Sequence, residues 1–244
     1  MRSAIISDIH ANLEALSAVL FDIESLNIDE IICLGDIIGY GPNPNECISL
    51  LHKKCPIILM GNHDAAVLDT LSTQNFNINA KIAIEWTEKH LTDENKGILK
   101  KLPMTKIDDN KTYVHATPYE PKMWYYITSV EEAAFNFQFF DTTFCFVGHT
   151  HIPMIIALDE SKTISVSQEE NLDFSKSVNS HYLINVGSVG QPRDRNPKSS
   201  YCIVDTDASL ITLRRIDYDV KKCQEKMKKH KLPDFLISRL KEGK

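Results

Sequence analysis

Several short stretches of this chain place carboxylate, amide and imidazole groups just where an apolar run ends. "SDIH" carries Asp8 and His10, "LGDIIGYG" carries Asp36, and "MGNHD" carries Asn62, His63 and Asp64. "HATP" adds His115, and "FVGHTHIP" adds His149 and His151, one residue apart. Farther on, "NVGSVGQPRD" supplies Asn185, Ser188, Arg193 and Asp194. Taken singly, a D-x-H or an N-H-D is a common turn sequence, since Asn and Asp tolerate turn geometry. The joint pattern means more. Imidazole, carboxylate and amide oxygen suit divalent transition metals, and polar groups gathered at one buried edge are costly without partners. In extended backbone, residues i and i+2 face one side. Asp8 and His10 are therefore expected to grip one ion, and His149 and His151 to reach into one pocket, at the same ion or at different ones. Gly35, Gly61 and Gly148 precede these residues, and glycine lets backbone approach a crowded centre.

The elements that must carry these stretches follow from hydrophobic period. Strands are expected at 3–6, 30–36 and from 56, with helices over 12–26 and 43–53, Pro44 near the start of the second. Residues 63–102 read as mainly helical, broken near Thr92–Asp93, which can cap a new helix. After Pro103 strands dominate, at 111–114, 143–147, 153–158, 162–167, 182–186, 200–205 and 209–216, with one helix near 130–138. The polar stretch "QEENLDFSKSVNS" (168–180) reads as a loop or mobile hairpin. The Lys-rich tail, 217–244, reads as two short helices separated by Pro233, with its charges on a solvated face. The class is α/β, a four-layer α/β/β/α sandwich of two mixed sheets flanked by helices. Residues 1–216 are expected to form the main domain, with 217–244 a helical extension packed on it. Ligands gather where strands end in such folds, and a parallel sheet would bring the exits together.

The 244 residues carry 27 basic and 33 acidic side chains, a net charge of −6. That balance argues against strong nucleic-acid binding, which rests on Lys and Arg at phosphates. No stretch approaches the roughly 18 apolar residues of a membrane helix, and the N-terminal apolar patch is too short for a signal peptide. The six cysteines show no C-x-x-C spacing, and Cys33, Cys145 and Cys202 lie in apolar runs. Reduced, buried thiols in a cytoplasmic protein are expected. His52, His90, His181 and His230 lie outside the strand exits and read as ordinary surface or core residues.

D-x-H, then G-D, then G-N-H-D, a lone His, and G-H-x-H, in that order over residues 8 to 151, resemble the calcineurin-like metallophosphoesterase superfamily. "SDIHAN", "GYGPNP" and "NVGSVGQPRD" are most similar to its small bacterial and archaeal phosphodiesterase-type members. The resemblance implies two divalent metal ions. Asp8, His10 and His151 would hold the first, Asn62, His115 and His149 the second, and Asp36 would bridge them. His63 would be the catalytic histidine, stabilising charge or protonating the leaving oxygen. Such a pair of ions clamps the attacking and leaving oxygens of an in-line displacement and activates water as nucleophile. Manganese is the first expectation, with Fe, Zn, Ni or Co compatible.

The chain departs from the phosphatase pattern G-D-x-x-D-R-G, having Gly39 and Tyr40 where that pattern has Asp and Arg. The missing Asp leaves open what orients His63, with Asp64 or backbone as candidates. The missing Arg argues against protein phosphatase activity, and Arg193 is the candidate replacement clamp on substrate phosphate. Tyr119, Trp124, Tyr125 and Tyr126 in "YEPKMWYY" could form a wall against which a base stacks. The expected activity is therefore hydrolysis of phosphodiester or phosphoanhydride bonds in a small phosphorylated substrate of nucleotide type. Dinucleoside polyphosphates, which some relatives cleave, are included. A phosphomonoesterase, or a catalytically silent metal-binding scaffold for a protein partner, are the alternatives. The sequence gives no reading of oligomeric state.

Overall fold

Along Arg2–Ile6 (β1), Ile5 faces one way while Ala4 and Ile6 face the other, and all three are fully buried. Side chains alternate along a strand, so a strand buried on both faces must be covered on both. Ser199–Asp205 (β11) repeats the pattern, with Cys202 and Val204 opposed to Tyr201 and Ile203. So does Phe144–Val147 (β6), with Phe144 and Phe146 opposed to Cys145 and Val147. Ile5, Cys202, Val204, Phe144 and Phe146 meet in one buried layer between two sheets.

The computed structural model describes residues 1–175 and 179–244. Among them, two six-stranded sheets form the centre of the fold. The first runs Ile57–Ile58 (β3), Glu30–Cys33 (β2), β1, β11, Leu210–Ile216 (β12) and Asn171–Asp173 (β9). The second runs Thr105–Asp108 (β4), Lys111–Val114 (β5), β6, His181–Asn185 (β10), Met154–Leu158 (β7) and Ile164–Ser167 (β8). Both are mixed: β1–β2–β3 and β5–β6–β10 pair parallel, their neighbours antiparallel. Leu13–Glu24 (α1) and Pro44–Lys54 (α2) cover the outer face of the first sheet, joined by Asn62–Val67 (α3), Ile78–His90 (α4) and Asp93–Leu99 (α5). Val130–Asn136 (α6) covers the second. The layered α/β/β/α sandwich is the observed architecture. Val220–Lys229 (α7) and Asp234–Arg239 (α8) split around Pro233 and pack with Ala80, Ala83 and Tyr40. Lys226 of α7 is not on a purely solvated face: it pairs with Glu14 of α1 at 2.6 Å.

Three expectations about elements need correction. Residues 68–77 are not helical. The Ser, Thr, Gln and Asn there compete for backbone, and Asn77 caps α4 by accepting from the Ala80 N–H at 3.0 Å. Strand β4 was not expected, because Thr105, Lys106 and Ile107 are exposed and show no buried face. Strand β9 falls inside the stretch expected to be a loop or mobile hairpin. It pairs with β12 through only three residues, two of them exposed. Residues 176–178 of that stretch lie outside the described residues. All six cysteines are buried and unbridged, and no helix among the described residues is long and apolar enough to cross a membrane.

Asp22 of α1 ties the helix layer to the sheet. It accepts from Arg214 Nε and Nη2 at 2.8 and 2.9 Å and from Tyr201 Oη at 2.5 Å. Burial alone would raise its carboxyl, but the bonds from Arg214 and Tyr201 outweigh this and lower it. Asp22→Asn should lower the free energy of unfolding at pH 7 by about 1–3 kcal/mol. A folded-state pKa below the unfolded one stabilises fully above about pH 4 and is lost as pH falls through the lower value. Urea midpoints of wild type and variant should therefore differ at pH 7 and converge in acid.

Candidate metal centre

Every predicted site residue lies just past a strand, but the strands belong to both sheets. Asp8 and His10 follow β1, Asp36 follows β2, and Asn62 and His63 open α3 after β3. From the second sheet, His115 follows β5, His149 and His151 follow β6, and Arg193 lies in the loop after β10. A single parallel sheet therefore does not assemble the site; the strand ends of two sheets packed face to face do. Nor is the backbone extended at the two H-x-H-like pairs. Asp8, His10, Asp36, His149 and His151 have φ of 55°, 49°, 50°, 65° and 63°. This left-handed region costs non-glycine residues about 1–3 kcal/mol each and clusters at functional sites. Backbone bonds from Asp8 N to Gly35 O and from His10 N to Asp36 O, both 3.0 Å, hold the first two turns together.

Asp8, His10, Asp36, Asn62, His63, His115, His149 and His151 are all buried. Among the described residues, three clusters with ligand atoms within 4.8 Å of one another could hold an ion. They are Asp8, His10 and His151; Asp36, His115 and His149; and His10, Asp36 and His63. Asp36 Oδ2 lies 3.7 Å from His10 Nε2 and 3.4 Å from His115 Nε2, so it stands between the first two clusters. Asp8 Oδ1 lies 3.2 Å from His151 Nε2 and 3.9 Å from His115 Nε2.

The far nitrogens fix the tautomers. A backbone carbonyl only accepts, so a ring nitrogen facing one must carry the proton. His10 Nδ1 faces Ile38 O at 3.1 Å, His115 Nδ1 faces Leu34 O at 3.2 Å, and His151 Nδ1 faces Gln191 O at 2.6 Å. His149 uses Nε2 instead, toward Trp124 O at 3.0 Å. In their neutral forms these rings present a bare nitrogen to the centre. That outward anchoring is the arrangement expected of metal-bound histidines. The centre also contains Asp8 Oδ1, Asn62 Oδ1 and His115 Nε2, all buried without a hydrogen bond. Nitrogen and oxygen lone pairs converging in this way fit divalent cations.

The charge states agree. Burial opposes ionisation of Asp8 and Asp36, yet His151 and His115 respectively hold both carboxyls below their ordinary value. Burial holds His149 down to about 3 and His63 to about 4. Burial also pulls on His115, but Asp36 and Asp8 lift it to about 9, so a cation must displace a proton there.

His63 is not oriented by Asp64. The Asp64 carboxylate accepts from the N–H groups of Gly61, Ile37 and Ile38 at 3.0, 3.0 and 3.2 Å. Burial, then Asp36, raises that carboxyl to about 7. The His63 ring is instead packed among Tyr40, His10 and Phe76, at centroid distances of 4.4, 4.9 and 5.3 Å. Its backbone N–H donates to Asp36 Oδ1 at 2.8 Å. Gly39, with φ of 85°, is required here: a Cβ would lie 2.5 Å from His63 Nδ1. Arg193 reaches Gln191 Oε1 at 2.9 Å and Tyr40 Oη at 3.5 Å, while its Nε is buried without a partner. Asn185 and Ser188 brace the ligand loops, donating to Gly148 O and Asp8 O at 2.7 and 2.8 Å. Asp194 pairs with Arg215.

A cleft of about 280 Å³ opens beside the centre, lined by Tyr40, Asn62, His63, Phe76, Trp124, Tyr126 and His149 among others. Of the four aromatics read as a wall, Trp124 and Tyr126 line it, while Tyr119 and Tyr125 do not. Sequence reasoning missed Phe76 and the anchoring carbonyls of Trp124 and Gln191. The polar run before Asn77 was a signal for a loop that could have exposed Phe76; the carbonyls leave no signal in side-chain identity.

Residues 1–209 match the sequence model of the calcineurin-like phosphoesterase superfamily domain. The chain is 43% identical over 242 residues to an uncharacterized protein of Methanocaldococcus jannaschii, covering 97% of this chain and 96% of that one. It is 44% identical to a metallophosphoesterase from Sphaerobacter thermophilus, whose crystal structure superposes with a TM-score of 0.88, covering 100% and 99% of the two chains. A hypothetical protein from Pyrococcus horikoshii, 21% identical, shares the fold with a TM-score of 0.80, covering 100% and 98%.

A Cβ at Gly148 would lie 2.4 Å from Asp8 Oδ2 and 2.2 Å from Ser7 Oγ, whereas one at Gly97 meets nothing within 4 Å. Gly148→Ala should therefore destabilise the fold by about 1–3 kcal/mol and weaken Mn binding at least tenfold. Gly97→Ala, inside α5, should stabilise it by about 0.4–1 kcal/mol and leave Mn binding unchanged. Denaturation and calorimetric titration with Mn read both effects.

Proposed function

Given that the chain belongs to the calcineurin-like phosphoesterase superfamily, we propose that it hydrolyses phosphodiester or phosphoanhydride bonds of a small, nucleotide-type substrate at a pair of divalent cations. The observation that carries this reading is the convergence of bare imidazole nitrogens and unpaired carboxylate and amide oxygens beside an aromatic cleft. Asp8, His10 and His151 are assigned to one ion, and Asn62, His115 and His149 to the other, with Asp36 shared. Bound there, the cations would neutralise phosphate charge and make water acidic enough to attack at neutral pH. Manganese remains the first candidate.

The chain's own side chains supply the rest. His63 lines the cleft and is held neutral by burial, so it donates a hydrogen bond to the oxygen that gathers charge. Arg193, fixed by Gln191 and Tyr40, offers its guanidinium to a phosphate oxygen. Phe76, Trp124 and Tyr126 give the cleft apolar walls, which suit an ester carrying a planar group better than a bare phosphate. Residues 1–216 form the catalytic domain in this reading, with 217–244 as its extension. Six buried, unbridged thiols suit a reducing compartment, and we assign the protein to the cytoplasm.

Bis(p-nitrophenyl) phosphate and p-nitrophenyl phosphate, each with added Mn, test the proposal. Wild type should cleave the diester, and His63→Ala should lower kcat by about 10²–10⁴-fold without reducing the bound metal. Turnover of the monoester alone would point to a phosphatase. No turnover with Mn, Fe, Zn, Ni or Co would point to a scaffold.

A further inference from the structure

A second groove, of about 560 Å³, shares Tyr126 with the catalytic cleft and is lined also by Tyr119, Tyr125, Phe135 and the acidic pair Glu131 and Glu132. Its aromatic lining residues Tyr119, Tyr125 and Phe135 form a cluster with Phe139 beside it. Tyr119 stacks on Tyr125 at 6.0 Å and meets Phe135 and Phe139 at 5.0 and 4.6 Å. Tyr125, Phe135 and Phe139 are nonetheless 43%, 44% and 41% exposed. Large aromatics left this open, side by side, mark a binding surface.

Two features select the occupant. Tyr126 lines both the groove and the cleft, and its ring stacks on His149 at 4.1 Å and 24°. The groove and the cleft thus share one side chain, and that side chain packs on a residue of the centre. Glu132 is engaged by the Thr128 and Ser129 N–H groups at 2.6 and 3.1 Å, so Glu131 is the carboxylate left to accept hydrogen bonds from ring N–H or amino groups, and both carboxylates repel phosphate. We propose that this groove is a distal subsite that stacks a planar heteroaromatic group on the far side of the reacting phosphorus from the cleft. The inference rests on the phosphoesterase reading and sharpens it: the preferred substrate carries a planar ring on each side of the scissile bond. Tyr126 divides the two rings. Phe135 and Tyr125 bind the outer one and take no part in holding metal.

The double variant Phe135→Ala with Tyr125→Ala tests this with two esters, both read by p-nitrophenolate release in the presence of Mn. Methyl p-nitrophenyl phosphate carries one ring, and the p-nitrophenyl ester of thymidine 5′-phosphate carries one on each side. For the thymidine ester, kcat/KM should fall at least fivefold, mainly through KM, while the methyl ester stays within twofold. Equal effects on the two esters, or none on either, overturn the subsite. So does a change from dimer to monomer in sedimentation, which would make the groove a contact between copies of the chain. If wild type hydrolyses neither ester with any of the five metals, the phosphoesterase reading itself fails and takes the subsite with it.

Discussion

His10 Nε2 and His151 Nε2 lie 3.1 Å apart, each ring having its other nitrogen turned to a backbone carbonyl, and Asp8 Oδ1 lies 3.2 Å from the second. Two bare nitrogens and a carboxylate oxygen at such distances repel unless positive charge lies among them. A few ångströms away His115, Asp8 and Asp36 repeat the situation. Burial makes it costly to leave such groups unpaired, and protonation answers the repulsion only in part, since burial holds His149, His10 and His63 neutral. The local structure makes sense as a frame for divalent cations: anchored imidazoles, ionised carboxylates, and an amide oxygen aimed inward.

The rest of the fold keeps that frame rigid. Loops from the two sheets are stitched directly, Gly190 N donating to Asp8 O at 2.9 Å and Gly148 N to His115 O at 2.8 Å. The layer of Ile5, Phe146, Ile184 and Cys202 between the sheets fixes their relative position. Left-handed backbone at Asp8, His10, Asp36, His149 and His151 is tolerable only with such support. The C-terminal helices belong to the same system. They bury Tyr40 against Leu236 and Leu240, and Tyr40 packs in turn on both His10 and His63. Tyr40 and Gly39 together replace the Asp and Arg of the phosphatase pattern. The site orients His63 by ring packing rather than by a carboxylate.

What the sequence disclosed and what it withheld divide along physical lines. Strand exits were legible because apolar runs end abruptly at polar residues, so Asp8, Asp36, Asn62, His115 and His149 could be named from one dimension. Their convergence could be argued, but not from the right geometry. Two sheets were expected, but with one parallel sheet gathering the exits, and nothing in the chain said that the H-x-H spacing closes through left-handed turns. Strand β4 stayed hidden because an edge hairpin with Ile107 exposed has no alternation to read. Phe76 was signalled only by the polar run before Asn77, and the Trp124 carbonyl was out of reach because its role depends on where a loop lands. Asp64 looked like a partner for His63 by adjacency, but three backbone N–H groups claim it.

Anomalous X-ray scattering at the manganese edge, from crystals of the full chain grown with Mn, tests the account most directly. Two peaks per chain are predicted, one contacted by Asp8, His10 and His151, the other by Asn62, His115 and His149, with an Asp36 oxygen reaching both. A density map with full Mn occupancy elsewhere, and none among these residues, would contradict it.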